Sequence, residues 1–309
     1  MLHLETLYAM IKVKSVSENL RPLPEDPVKV LSAGKYTEIL FNSHKSHGSV
    51  IKKIDKDTYL DTRSGELKPF QHNHTRSDDL KSVSRSLRDL RNLINANVTD
   101  PSTTLFLTLT YRENMQDTKK VYNDFQNFRK RFYNSYKFDK WIAVLEPQAR
   151  GAWHLHVLLI FNSEAPFIDN SFTAKQWKQG FTNTRAVSDV DNVGAYLSAY
   201  LSDLTLEEAE DAGINTNYAE LKDVEIPDEH GNKIPKKVIK GGRLGLYPAG
   251  TRIWRCSRNC ERPEVYHTTN EQAENNVIFD TLTYEVTKNI EDTETGFSNT
   301  FNRRVYVST

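Results

Sequence analysis

The stretch WIAVLEPQARGAWHLHVLLIFN, Trp141 to Asn162, restricts this chain more than any other. Two apolar runs of strand length flank a short segment containing Pro147 and Gly151, which reads as an antiparallel hairpin. A strand repeats every two residues, so His154, His156, Leu158 and Ile160 share one face while Leu155, Val157, Leu159 and Phe161 share the other. Ile142, Val144 and Glu146 form one face of the preceding strand. If that is the histidine face, Glu146, His154 and His156 converge close to the turn. A carboxylate and two imidazoles are costly to bury on an apolar sheet without partners, whereas one divalent cation uses all three. The competing reading is a pair of hydrogen-bonded core or edge histidines, which an HxH alone does not exclude.

The flanking segments supply the context. PSTTLFLTLTYRENM reads as a strand with Leu105, Leu107 and Leu109 on a core face and Phe106, Thr108 and Thr110 on a semi-polar one. Thr118 to Lys137 gives Val121, Phe125, Phe128, Phe132 and Tyr136 at helical spacing, a core stripe. In the helix of SRSLRDLRNLINAN, Val83, Leu87, Leu90 and Ile94 recur while Lys81, Arg85 and Arg88 lie along another side, which suits a solvated face or a phosphate-contacting one. After the hairpin, a loop rich in Asn, Ser and Pro leads to a helix at DNVGAYLSAYLSDL, capped by Asp191 or Asn192. Tyr196 and Tyr200 stand four residues apart on one face of it. Alone, such tyrosines are ordinary packing residues.

Together and in this order, FLTLTYREN, EPQARGAWHLHVLLIF and DNVGAYLSAYLSDL resemble motifs one, two and three of the HUH endonucleases that initiate rolling-circle replication of bacterial plasmids, integrative elements and phages. The chain is most similar to bacterial replication-associated proteins sharing E-x-Q-x-R-G-x-x-H-x-H, over roughly Ser102 to Asp203. The resemblance implies an α+β, ferredoxin-like domain whose central antiparallel sheet has five strands, with the HUH strand in the middle, helices packed behind it and the tyrosine helix presented to a metal. It implies that Glu146, His154 and His156 hold Mg2+ or Mn2+, and that Thr108 and Thr110 meet DNA. Tyr196 matches the usual nucleophile position and Tyr200 the second tyrosine of two-tyrosine initiators. Attack on single-stranded or hairpin origin DNA would leave a 5′-phosphotyrosine and a free 3′-hydroxyl for host polymerase. No GxxxxGK[ST] is present, so a helicase would come from the host or another protein. One departure stands out: many relatives carry a lysine three residues after the tyrosine, where this chain has Ala199 and, after Tyr200, Asp203. Arg150 or a residue of the basic helix is then expected to supply that cation.

Charge must be read by segment, because 41 Lys plus Arg balance 41 Asp plus Glu. KKVIKGGRLGLYPAGTRIWRCSRN carries Lys236, Lys237, Lys240, Arg243, Arg252, Arg255 and Arg258 without an acid. Lys81, Arg85, Arg88, Lys236, Lys237, Lys240 and Arg243 are the expected contacts to the DNA backbone. The organisation reads as a β-rich N-terminal extension over 1–76, an endonuclease domain over 77–205 with motifs at 105–111, 146–161 and 191–204, and a C-terminal extension over 206–309 holding the basic segment. Two cysteines, Cys256 and Cys260, make no disulfide framework and with His267 imitate only part of a zinc site. Without a signal peptide or a spanning apolar run, the expectation is a cytoplasmic protein with no membrane contact. A second HxH, His72 and His74, lacks an apolar strand and reads as a polar loop. Three other readings share some of these features. An Fe(II) oxygenase has the same ligand types but leaves the tyrosine helix idle. An origin-binding regulator would bind without nicking. An HUH transposase is typically little more than the catalytic core, and a relaxase places its tyrosine N-terminal to the histidines.

Overall fold

The computed structural model describes residues 12–14, 21–44, 51–70, 80–148, 150–211, 221–227, 233–248, 250–292 and 297–308. Strands β1 (Lys12–Lys14), β2 (Pro27–Ala33), β3 (Tyr36–Asn42), β4 (Ile51–Lys53), β5 (Thr58–Asp61) and β6 (Glu66–Pro69) come first. Then follow α1 (Leu80–Asn97), β7 (Thr104–Leu109), α2 (Thr118–Ser135), β8 (Lys140–Pro147), β9 (Trp153–Ile160), α3 (Asn170–Trp177), β10 (Thr182–Ala186) and α4 (Val193–Ser202). The chain continues through β11 (Leu204–Thr205), α5 (Leu206–Asp211), β12 (Leu221–Pro227), β13 (Lys233–Ile239), β14 (Trp254–Cys256), β15 (Glu264–Thr269), α6 (Asn270–Asn276), β16 (Thr281–Asp292) and β17 (Phe297–Val307). No helix among the described residues is long and apolar enough to cross a membrane.

Contacts divide the chain into two compact units, Asn73–Arg262 and a second built from Met1–His72 with Pro263–Thr309. This division differs from the three consecutive segments read above, because strand pairing between the chain ends leaves no local mark in composition. In the terminal unit a six-stranded antiparallel sheet runs β1-β16-β17-β3-β2-β15. Val28, Val30, Ile39 and Phe41 form its core with Ala273 and Val277 of α6.

The Asn73–Arg262 unit holds a five-stranded sheet in the order β10-β7-β9-β8-β14, every neighbouring pair antiparallel. Strand β9 lies in the middle, buried on both faces, which is why WHLHVLLI reads as a nearly continuous apolar run. Helix α2 covers the face opposite the histidines: Phe125 meets Trp141 edge-on at 5.1 Å, and Trp141 pairs with Leu159. Trp177 of α3 packs against Phe128 on that same helix. The histidine face is covered too, so helices lie on both sides of the sheet rather than only behind it. Trp254 pairs with Val144, the partner of His156, and its Nε1 donates to the Ser86 carbonyl of α1. The loop expected after the hairpin contains α3 and the edge strand β10. KKVIK belongs to β13, the middle of a small β11-β13-β12 sheet, and WRC is the fifth strand of the main sheet.

Candidate metal centre and tyrosine helix

Hairpin register builds the centre. Glu146 sits directly across from His154 and Val144 across from His156, which puts the carboxylate and both imidazoles on one face at the turn end. Gly151 turns the chain with φ +84°, a left-handed conformation that suits glycine, and its N–H donates to the Gln148 carbonyl. One ligand atom from each of Glu146, His154 and His156 lies within 4.8 Å of the others. Glu146 Oε2 is 2.6 Å from His156 Nε2 and 3.5 Å from His154 Nδ1.

The surroundings prepare these groups for a cation. His156 is fully buried, its ring stacked on Phe106 at 5.4 Å, with Nδ1 3.2 Å from Thr108 Oγ1. Thr108, expected to meet DNA, therefore fixes the ring from the neighbouring strand, as partners beyond the ligands of metal-binding histidines commonly do. Burial pushes the His156 pKa down, which favours the neutral form that ligates metals. For Glu146, burial acts to raise the pKa, but Arg243 and the two histidines outweigh it and hold the carboxyl well below its usual range. His154 Nε2 is buried without a hydrogen-bond partner. An orphaned buried polar atom costs about 1–3 kcal/mol, and a set of two nitrogens and one carboxylate suits a divalent cation. The residues fit a metal. Among the described residues this is the one cluster of its kind.

Arg243 does not serve as the expected backbone contact. Only 4% exposed, it places one guanidinium nitrogen 3.2 Å from Glu146 Oε1 and another 2.8 Å from Glu208 Oε2. Its Nε donates to the Asp203 carbonyl and Nη1 to the Pro147 carbonyl. Withdrawing it toward a phosphate would strand buried carboxylates, at a cost of about 3–5 kcal/mol, far more than one exposed ion pair returns at about 0–1 kcal/mol.

Helix α4 begins at Asn192, whose side chain accepts from the Ala195 N–H at 2.8 Å. Tyr196 and Ala199 line a cavity of about 440 Å³ together with Asp203, Glu208, Lys236 and Arg243. The tyrosine and the arginine that grips Glu146 thus border one space. Arg185 of β10, which no sequence signal marked, donates from Nη2 to the Tyr196 hydroxyl at 2.5 Å. Its guanidinium carbon lies 4.9 Å from the Phe106 ring centre and 5.2 Å from that of Tyr196. Asp203, where a lysine was sought, instead accepts from the Gly241 N–H. Tyr200 lies on α4, but its side chain falls outside the described residues.

The other expected contacts disperse. Arg85 and Arg88 are exposed on α1, and Arg88 borders a groove of about 430 Å³ with Lys240, Ser198 and Ala199. Lys236 pairs with Glu207 at 2.8 Å, and Lys237 is exposed on the same strand. Arg150 is exposed at the hairpin turn, where its Nε donates to Gln148 Oε1. The Thr110 carbonyl accepts from Trp177 Nε1, so that residue ties β7 to α3. Cys256 and Cys260 are free thiols. The Lys81 side chain and the His72 and His74 pair lie outside the described residues.

No curated protein and no solved structure matches this chain. Residues 104–205, about a third of the chain and the part that holds Glu146, His154, His156, Arg185 and Tyr196, match the model of a family of replication-associated proteins, the ORF2 type.

Proposed function

We propose that this protein starts rolling-circle replication by nicking single-stranded DNA, through a covalent tyrosine intermediate and with a divalent metal. The observation that carries the reading is the meeting of Glu146, His154 and His156 inside the family-matched segment that also holds Tyr196. Glu146, His154 and His156 would hold Mg2+ or Mn2+, which when bound polarises phosphate oxygens and offsets the weakness of a phenol with a reference pKa of about 10. Thr108 and Phe106 keep the His156 ring in place. Arg243 holds the Glu146 oxygen that the histidines leave free.

Arg185 takes the place of the absent lysine. Held between two rings and bonded to the Tyr196 hydroxyl, it brings a fixed positive charge to the reacting oxygen. Tyr196 attacks phosphorus in line, the P–O bond to the 3′-oxygen breaks, that oxygen takes up a proton, and the phenol loses one. The new phosphotyrosine ester retains the energy of the old bond, so a later 3′-hydroxyl can reverse the exchange. Host polymerase extends the free 3′-hydroxyl, with unwinding supplied by a separate helicase. The test uses single-stranded oligonucleotides tiled from the DNA that encodes the chain. A protein–DNA adduct is expected with Mg2+ or Mn2+, absent with a chelator and absent in His154→Ala or His156→Ala, both of which keep duplex binding. Full cleavage by either variant with Mn2+ removes the metal reading, and binding without any adduct leaves a regulator that does not nick.

A further inference from the structure

Basic side chains beside the tyrosine helix are largely engaged with acids, Arg243 with Glu146 and Glu208, and Lys236 with Glu207. A different basic group is not. Arg129 and Lys130 of α2 and Arg258 after β14 line one cleft of about 680 Å³ with Tyr133, Phe138 and Trp141. Among the described residues none of these three cations forms an ion pair. The single acid of the cleft, Asp139, accepts a hydrogen bond from Asn259 Nδ2 at 3.2 Å, so positive charge dominates.

Two donors in this cleft lack acceptors. Arg129 Nε and Trp141 Nε1 are buried without hydrogen-bond partners, and the Arg129 guanidinium lies 5.0 Å from the Trp141 ring centre. Tyr133 is 43% exposed, edge-on to Phe138 at 5.2 Å, with the Lys137 ammonium 4.3 Å from its ring centre. Unpaired cations, acceptor-seeking donors and an exposed aromatic ring are the elements with which proteins hold phosphates and stack bases. The cleft is separate from the metal centre. Trp141 points to the opposite face of the sheet from Glu146 and lies five residues from it on β8, about 17 Å at strand rise.

We propose that this cleft binds single-stranded nucleic acid, with phosphates on Arg129, Lys130 and Arg258 and a base on Tyr133. A duplex would meet the cations but leave the ring without a base to stack on. The inference rests on the DNA-binding part of the function proposed above and not on nicking. In an initiator the cleft would hold strand flanking the nick.

The experiment measures binding of the full chain to fluorescent thirty-nucleotide single strands and to the matching duplex, across a salt series. Arg129→Gln/Lys130→Gln/Arg258→Gln should lower the single-strand salt slope by about 0.7 per contact. Tyr133→Ala should weaken single-strand binding by roughly five- to a hundredfold while keeping the slope. Both variants should form wild-type levels of adduct on a short oligonucleotide that spans only the nick, whereas Tyr196→Phe should keep long-strand binding and lose the adduct. An unchanged slope and affinity in the cleft variants overturns the inference. Equal losses on single strand and duplex, with no effect at Tyr133, also overturn it by making the surface a duplex grip. Absence of the adduct from wild type alone would remove the nicking proposal and leave the cleft standing.

Discussion

Replacing Arg185 separates its charge from its packing. Arg185→Gln keeps a donor near Tyr196 but loses the positive charge and the planar stack between Phe106 and Tyr196. Losing one preorganised donor aimed at a reacting oxygen costs about 10²–10³ in rate, so adduct formation in a single turnover should slow by about that factor with oligonucleotide affinity unchanged. Arg185→Lys restores the charge without the flat fork and should recover only part of the rate. A wild-type rate in Arg185→Gln would return the role to Arg150 or to α1. The ligand residues were legible because alternation along β8 and β9 gives faces directly. The roles of the arginines were not. Arg243 sits in a basic run that looks like surface, yet Glu146 and Glu208, both far off in sequence, draw it inside. Lys240 and Arg88 stay beside α4 as the sequence suggested for a basic flank, while Arg129 and Lys130 were hidden in a helix read only for its aromatic stripe.

Helix placement decides whether Tyr196 faces the centre, and α4 rests on α1 through Gly194. A Cβ there would lie 2.2 Å from Asn95 Oδ1 and 2.7 Å from the Arg91 carbonyl oxygen. A side-chain amide can swing away, but a helical carbonyl cannot. Gly194→Ala should therefore push α4 off α1, cost about 1–3 kcal/mol in urea unfolding, and reduce adduct formation in the fraction that remains folded. Stability and adduct yield equal to wild type would show that the two helices do not need this close approach. The longer elements α1, α2 and α4 and the hairpin were readable, since several periods of apolar residues repeat in each. Strand β10 offers only TNTRA and β14 only WRC. Such short edges form because β7 and β8 present unpaired backbone to them, a tertiary cause without a local pattern. Missing β10 is what concealed Arg185.

At the scale of the whole chain, the two ends build one sheet, with β15 on β2 and β17 on β3. Truncation after Arg262 removes β15, β16 and β17, three of the six strands. Amide exchange in 27–42 should then rise to that of an unfolded segment, while β7, β8 and β9 keep their protection, because their core lies within Asn73–Arg262. Retained protection of β2 and β3 would mean that they do not depend on the C-terminal strands. The central claim concerns the full-length protein and DNA: one tyrosine hydroxyl on α4 becomes covalently bonded to the strand it cuts. The most direct measurement is adduct formation on a single-stranded origin oligonucleotide by Tyr196→Phe, Tyr200→Phe and the double variant, with mass spectrometry of the linked peptide. Tyr196→Phe removes only the hydroxyl and should abolish the adduct, whereas Tyr200→Phe should retain first-strand cleavage and lose at most termination or strand transfer. An adduct that persists in the double variant would contradict the account, because neither tyrosine of α4 would then be the nucleophile.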